Sequence, residues 1–504
     1  MEPLPPQLAV GLRPSFQARP QAAVAPALVE RSWGSCRGEA LAAWAACHLG
    51  AKWAGQQRRQ RRRPHRRRHG AAGGRCKVRQ AVGKGSGAAV GQFEQHGEVA
   101  PRCPADWEPH SGLLVGWPCE ASAGRAVRQA GFEYFTGQQY DELAGFVAAA
   151  AAREPVTVVV APEDAADCRR RLAGVEAAAG VDFLELGHVN WWIRDTGPTL
   201  VVQDTAVGSV DGKPLDGAGR SERVAVCWDF HGYGLPQRSE GRKFFYGFYC
   251  AETIGWRAGS ELDEELGRSL ARHMGAVHQK PPPGLAFEGG AVVCDGEGTG
   301  VVVEEILPRT GAGDRRQLEV LLRSALGLRK ILWLPYGLSP AAEGGNCHAD
   351  MVAAFCGPAR LLLLAPHSSG DTDSERLQAN FEALRGAVDA RGRPLEIVPV
   401  PRVEVGWFER GVQRYNLATR RWYAQSLECS YTNLVFARGA VLVPQFGDDR
   451  CDQRALDLVG EACARGLRSR DGSHLEAVPV PFREVARLGG GLRCCSLPMP
   501  VVQG

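Results

Sequence analysis

Arg315-Arg-Gln-Leu-Glu-Val-Leu-Leu-Arg-Ser-Ala-Leu326, then Lys330-Ile-Leu-Trp-Leu334, sets a helix-like stretch directly against a short β-rich run. The same alternation recurs outward in both directions. β-rich runs stand at Val156–Ala161, Val224–Trp228, Arg360–Leu364, Leu395–Val400 and Gly439–Val443, and helical stretches at Glu261–Met274, Ser374–Val388 and Asp452–Ala464. Strands that alternate with helices place the body, from Pro101 onward, in the α/β class. Recurrence every few tens of residues hints at repeated β/α units, although no sequence repeat is strong enough to prove them.

The 504 residues suffice for one large domain or two to three smaller ones, and 44% apolar with 23% charged residues is a soluble, globular composition. No stretch approaches the about 18 consecutive apolar residues of a membrane span. The net charge of +4 conceals an asymmetry: residues 1–95 carry 17 Lys/Arg against 4 Asp/Glu, and residues 96–504 carry 43 against 52. The body is therefore mildly acidic, and a nucleic-acid interaction is expected only through the N-terminal region. Residues 1–95, rich in Ala, Gly, Pro and Arg with the run Gln56–Arg68, form by composition a disordered extension. That extension reads first as a solvated tail, and otherwise as a basic nucleic-acid patch or an organelle presequence. The expected location is cytoplasmic, or plastid or mitochondrial if the extension is a transit peptide, and not secreted. Sixteen cysteines scattered through so long a chain read as reduced thiols, and the absence of a CxxC pair argues against a structural metal.

Four segments set a reactive polar residue beside glycine or an aromatic. Trp191-Trp-Ile-Arg-Asp195-Thr-Gly-Pro198 puts Asp195 before a turn, where it suits either a site or an ion pair with its neighbours. Phe287-Glu288-Gly-Gly-Ala291 sets a carboxylate ahead of two glycines that permit close approach. Gly344-Gly-Asn-Cys-His348-Ala-Asp350 spaces a histidine and a carboxylate so that an extended strand would point both to one face. Gly489-Gly-Gly-Leu-Arg-Cys-Cys495-Ser496 delivers two thiols from a glycine-rich turn near the C-terminus, either as a docked reactive tail or as inert small hydrophobes. Together they hold a thiol, a histidine and several carboxylates, the ingredients of nucleophilic attack on a cationic carbon.

With Pro104–Glu108, Gly116–Pro118, Trp192–Pro198, Glu288–Gly290, Asp295–Thr299, Cys347–Asp350, Asp389–Arg393, Ser430–Asn433, Val443–Asp448 and Gly489–Cys495 in this order, the chain resembles the agmatine deiminases and bacterial-type peptidyl-arginine deiminases, members of the guanidino-group-modifying superfamily. The resemblance implies an α/β fold, a five-bladed β/α propeller (pentein) with pseudo-fivefold repeats over residues 96–504. It implies Cys495 as nucleophile, His348 as general acid/base, Glu288 as its supporting carboxylate, Asp195 and Asp350 as the guanidinium grip, and Trp192 and Trp117 as further substrate contacts. The activity implied is hydrolysis of agmatine to N-carbamoylputrescine and ammonia through a covalent thiouronium, in putrescine biosynthesis, by a homodimer needing neither metal nor cofactor. Departures from the family pattern fall at Cys347, Met351, Arg493 and Cys494. An arginine beside the nucleophile suits a substrate carboxylate, so free or peptidyl arginine is the alternative substrate. Cys494 is a rival nucleophile. A reading of another class is an inactive propeller that binds nucleic acid through its Arg-rich tail.

Overall fold

The computed structural model describes residues 100–119, 135–188, 190–204, 209–210, 213–214, 220–230, 245–246, 249–250, 261–280, 285–338, 347–366, 372–403, 413–416, 421–424, 429–469 and 472–502. The expected extension at 1–95 lies outside them, as do Gly344, Gly345 and Asn346.

Strand β1 (His110–Gly116) is followed by helix α1 (Gly137–Ala151), β2 (Val156–Val160), α2 (Ala165–Ala179) and β3 (Val181–Glu185). β1, β2 and β3 pair in parallel in that order. Crossing back to start a parallel neighbour requires a connection about as long as a helix, which α1 and α2 supply. Thr136 begins α1 with a capping box: its hydroxyl accepts from the Gln139 amide, and the Gln139 side chain accepts from the Thr136 amide.

Four further units repeat one pattern. They are β4 (Thr199–Asp204), β5 (Ser221–Val226), α3 (Glu261–His273) and β6 (Val277–Gln279); β7 (Val292–Cys294), β8 (Thr299–Val303), α4 (Arg315–Leu326) and β9 (Lys330–Leu334); β10 (Ala353–Phe355), β11 (Arg360–Leu364), α5 (Thr372–Ala383) and β12 (Glu396–Val400); β13 (Val435–Ala437), β14 (Ala440–Gln445), α6 (Asp449–Ala464) and β15 (Glu476–Pro481). In each, the first strand runs antiparallel to the second, and the third runs parallel to the second. The last strand, β16 (Ser496–Pro500), lies antiparallel to β1, so the C-terminal segment is built into the first sheet. Pro498 and Pro500 are tolerated there because β16 is an edge strand, half of whose N–H groups face away from its one neighbour and make no ladder bond.

The middle strands β8 and β11 read as nearly continuous apolar runs because both of their faces are covered. Val301, Val302 and Val303 are fully buried, each burial contributing roughly 1.5 kcal/mol or more. Among the described residues no helix is long and apolar enough to cross a membrane.

The repeat has a consequence for the polar residues. Asp195 precedes β4, Glu288 precedes β7, His348 and Asp350 precede β10, Asn433 precedes β13, and Cys494 precedes β16, each by two to five residues. One turn from each repeat is thus available to a common site.

Candidate active site

Asp195 sits in the single helical turn Ile193–Thr196, ended by Gly197, where a Cβ would lie 2.3 Å from the Ile193 carbonyl oxygen. His348 caps the 3-10 turn Ala349–Met351, which contains Asp350. The pair is therefore brought together by a tight turn, and not by the alternation of a strand as the spacing suggested.

Gly290 is the point around which these groups close. A Cβ on it would fall 2.7 Å from His348 Nδ1, 2.8 Å from Asp195 Oδ1 and 3.1 Å from Asp350 Oδ2, so only glycine leaves room for the three side chains. The Gly290 amide donates to Asp195 Oδ1 at 2.9 Å. His348 Nδ1 faces Asp195 Oδ1 at 3.8 Å, and its Nε2 faces Glu288 Oε2 at 3.3 Å. Arg309 Nη2 donates to that same Glu288 oxygen at 3.0 Å. All of Asp195, Glu288, His348 and Asp350 are buried.

Burial pushes the Asp195 carboxyl up to about 6, with the neighbouring Asp350 and Glu288 charges adding to burial and His348 opposing it. Burial works against the His348 imidazolium, yet Asp195 and Glu288 outweigh it and hold its pKa above the ordinary value. Burial would also raise Glu288, but Arg309 and His348 keep it below the usual range. Asp350 Oδ1 is buried and finds no hydrogen-bond partner among the described residues. An unpaired buried carboxylate oxygen is costly unless a ligand donates to it.

The two thiols of the C-terminal turn point to different surroundings. Cys494 Sγ lies 4.0 Å from Asp350 Oδ2 and accepts from Asn433 Nδ2 at 3.2 Å. Cys495 is fully buried, and its thiol donates back to the Leu492 carbonyl at 3.3 Å. The sequence expected Cys495 in the site, but the thiol beside the acidic groups is that of Cys494. Burial, then the Asp350 and Asp195 charges, push the Cys494 thiol well above the usual range. Burial also raises that of Cys495.

Arg493 does not point into open space to await a carboxylate. Its Nε donates to Asp106 Oδ2 at 2.6 Å and its Nη1 to Asp350 Oδ2 at 2.9 Å, so its charge is already matched. Burial opposes this arginine's charge, but Asp106 and Asp350 raise its pKa overall. Partial burial opposes the charge of Asp106, but Arg493 and Arg194 hold its carboxyl down to about 2. Neither Asp106 nor Arg309 was singled out as a site residue from sequence; Asp106 meets Arg493 across 387 residues of chain, and Arg309 meets Glu288 across 21.

Trp192 stacks on Trp191 at 3.8 Å and lies so close to Gly490 that a Cβ there would meet its ring at 2.7 Å, which sets it against the thiol-bearing turn. Trp117 is buried and stacks on Tyr140 at 5.6 Å, inside the main apolar core. Asp295, Glu297 and Asp389 gather ligand-type atoms within 4.8 Å of one another. There Arg393 pairs with Glu297 and Asp389, and Arg391 lies 3.2 Å from Glu297, so the cluster is a charge-matched tie between two units.

The fold and this buried group of acids, histidine and thiol define an α/β protein whose polar site is gathered from the entry turns of repeated sheets. The chain belongs to the Porphyromonas-type peptidyl-arginine deiminase family, whose model matches residues 102–500. It is 29% identical over 409 residues to the agmatine deiminase of Medicago truncatula, covering 79% of this chain and 96% of that one. It is 28% identical over 409 residues to the agmatine deiminase of Ectopseudomonas mendocina, covering 80% and 96%. Among solved structures, the agmatine deiminase of Enterococcus faecalis shares the fold with a TM-score of 0.58 at 22% identity, over 80% of this chain and 96% of that chain.

Proposed function

We propose that the protein is a hydrolytic deiminase that converts agmatine to N-carbamoylputrescine and ammonia, a step toward putrescine, with Cys494 in the role the sequence assigned to Cys495. The observation that carries this reading is the placement of one thiol, 4.0 Å from Asp350, at a cluster of buried carboxylates around Gly290. The five sheet units are read as the blades of a propeller around this site, and the assembly as a homodimer, which sedimentation tests.

A guanidinium is planar and resonance-stabilised, so its carbon resists attack until it is held in line with a nucleophile. Asp195 and the unpartnered Oδ1 of Asp350 supply carboxylate acceptors for its N–H groups. Binding a cation there cancels the charges that keep the Cys494 thiol protonated, so the substrate itself favours the thiolate. The sulfur adds to the guanidinium carbon. His348, as imidazolium, donates its proton to the departing nitrogen, the C–N bond breaks, and ammonia leaves behind a thiouronium on Cys494. The neutral imidazole then takes a proton from water, hydroxide adds to the same carbon, and the C–S bond breaks to release the ureido product. Glu288, anchored by Arg309, keeps the imidazole in position and in its charged form.

Because Arg493 is spent on Asp106 and Asp350, a substrate that lacks a carboxylate suits the site better than arginine does. The test is ammonia release from agmatine, free arginine and a peptide ending in arginine. Agmatine is expected to be turned over fastest; faster turnover of either arginine substrate overturns the substrate, and release from none of the three overturns the reaction.

A further inference from the structure

We infer that Asn433 is the positioning residue of the thiol: its one side chain fixes the turn that carries Cys494 and supplies a side-chain hydrogen-bond donor to its sulfur. The inference rests on the deiminase reading above and on Cys494 as its nucleophile.

Asn433 is fully buried in the turn that leads into β13, the entry turn of a repeat that contributes none of the acids or the histidine. Its Oδ1 accepts from the backbone amides of Arg493 at 2.8 Å and Cys494 at 3.3 Å. Its Nδ2 faces Cys494 Sγ at 3.2 Å, Met351 Sδ at 3.3 Å and the Asp350 carbonyl at 3.5 Å. A single amide therefore ties the thiol-bearing turn to the turn that carries Asp350. The neighbouring Thr432 adds a second tie, its hydroxyl donating to the Asp350 carbonyl at 3.1 Å.

The sequence makes room for this contact. A Cβ on Gly491 would lie 2.4 Å from Asn433 Oδ1, so glycine is the residue that lets the amide approach the turn. The direction of the two amide ends also matters. An oxygen that caps two backbone N–H groups leaves the NH2 end with no choice but to face the sulfur, and an N–H donor favours the anionic form of what it faces. The charges around the sulfur, Asp350 and Asp195, disfavour that form, while Arg194 stands near enough to temper them. With the Gly491 backbone, which acts in the same direction, the Asn433 donor is a neutral group that favours the thiolate, as the substrate cation does, before any substrate has bound.

The experiment uses the full-length chain in a Cys495→Ala background. Alkylation of Cys494 by iodoacetamide is followed against pH by peptide mass spectrometry, beside kcat and KM for agmatine. Asn433→Ala removes both ends of the amide, and Asn433→Leu removes them at nearly the same volume; neither adds a charge beside the sulfur. In both variants alkylation of Cys494 at pH 8 should slow about tenfold, its pH midpoint should rise by about one unit, and kcat should fall about 100-fold with KM changed less than threefold. If Asn433→Ala does not fold, Asn433→Leu decides alone. A Cys494 midpoint unmoved in a folded Asn433→Leu variant overturns the inference, as does a loss confined to KM. If Cys494→Ala retains ammonia release while the alkylation midpoint still shifts in the Asn433 variants, the nucleophile assignment fails and the positioning contact survives it.

Discussion

Cys494 presents its sulfur 4.0 Å from Asp350 Oδ2, across a gap in sequence of 144 residues. Its neighbour Cys495 turns its own sulfur back onto Leu492 in the same short turn. That difference in direction separates two chemically identical candidates.

Cys494→Ala is expected to lower ammonia release from agmatine by about 1000-fold or more, because the covalent route is lost. Cys495→Ala removes one buried sulfur, costs about 1 kcal/mol in stability, and leaves kcat within about threefold. Steady-state kinetics on both variants checks this, and the reverse pattern returns the role to Cys495.

The pH dependence of kcat/KM should be bell-shaped. In the proposed mechanism Asp195 grips a cation only when ionised, so activity should be lost as pH falls through about 6. His348 donates a proton, so activity is also lost as pH rises through its elevated pKa. The Glu288 charge raises both groups, so Glu288→Gln should move both limbs to lower pH. Limbs that stay in place in that variant would remove Glu288 from this account.

Gly290→Ala should reduce activity at least about 100-fold while the protein remains folded. The added methyl would meet His348, Asp195 and Asp350 at 2.7 to 3.1 Å, and a displacement of under an ångström suffices to spoil alignment. Circular dichroism establishes folding, and ammonia release reads the loss.

Arg493→Met leaves the buried Asp350 and the partly exposed Asp106 without their shared cation, which should cost about 3 kcal/mol or more of stability in a denaturant titration. The ratio of agmatine to arginine turnover should change less than threefold, since Arg493 faces these two aspartates. A collapse of arginine turnover alone would show that Arg493 receives a substrate carboxylate.

The chain's long elements are legible in its sequence. Lys330–Leu334 and Arg360–Leu364 occupy the expected bounds, as does the helix Arg315–Leu326, because an apolar run or a helical stretch of that length admits few other placements. The three-residue strands Val292–Cys294, Ala353–Phe355 and Val435–Ala437 are too short to carry a period, and Ser496–Pro500 is masked by its prolines. Their existence depends on the partner strands beside them.

The same division runs through the site. Sequence alone determined the candidates, Asp195, Glu288, His348, Asp350 and a pair of thiols, and their order along the chain, because polar residues set beside glycines or aromatics stand out wherever they occur. Only the tertiary structure decided that Cys494 faces Asp350, that Asn433 clamps its turn, and that Arg493 is spent on Asp106 and Asp350. Successive side chains in a tight turn point in different directions, and which one meets the site is set by groups brought to that turn from more than 60 residues away.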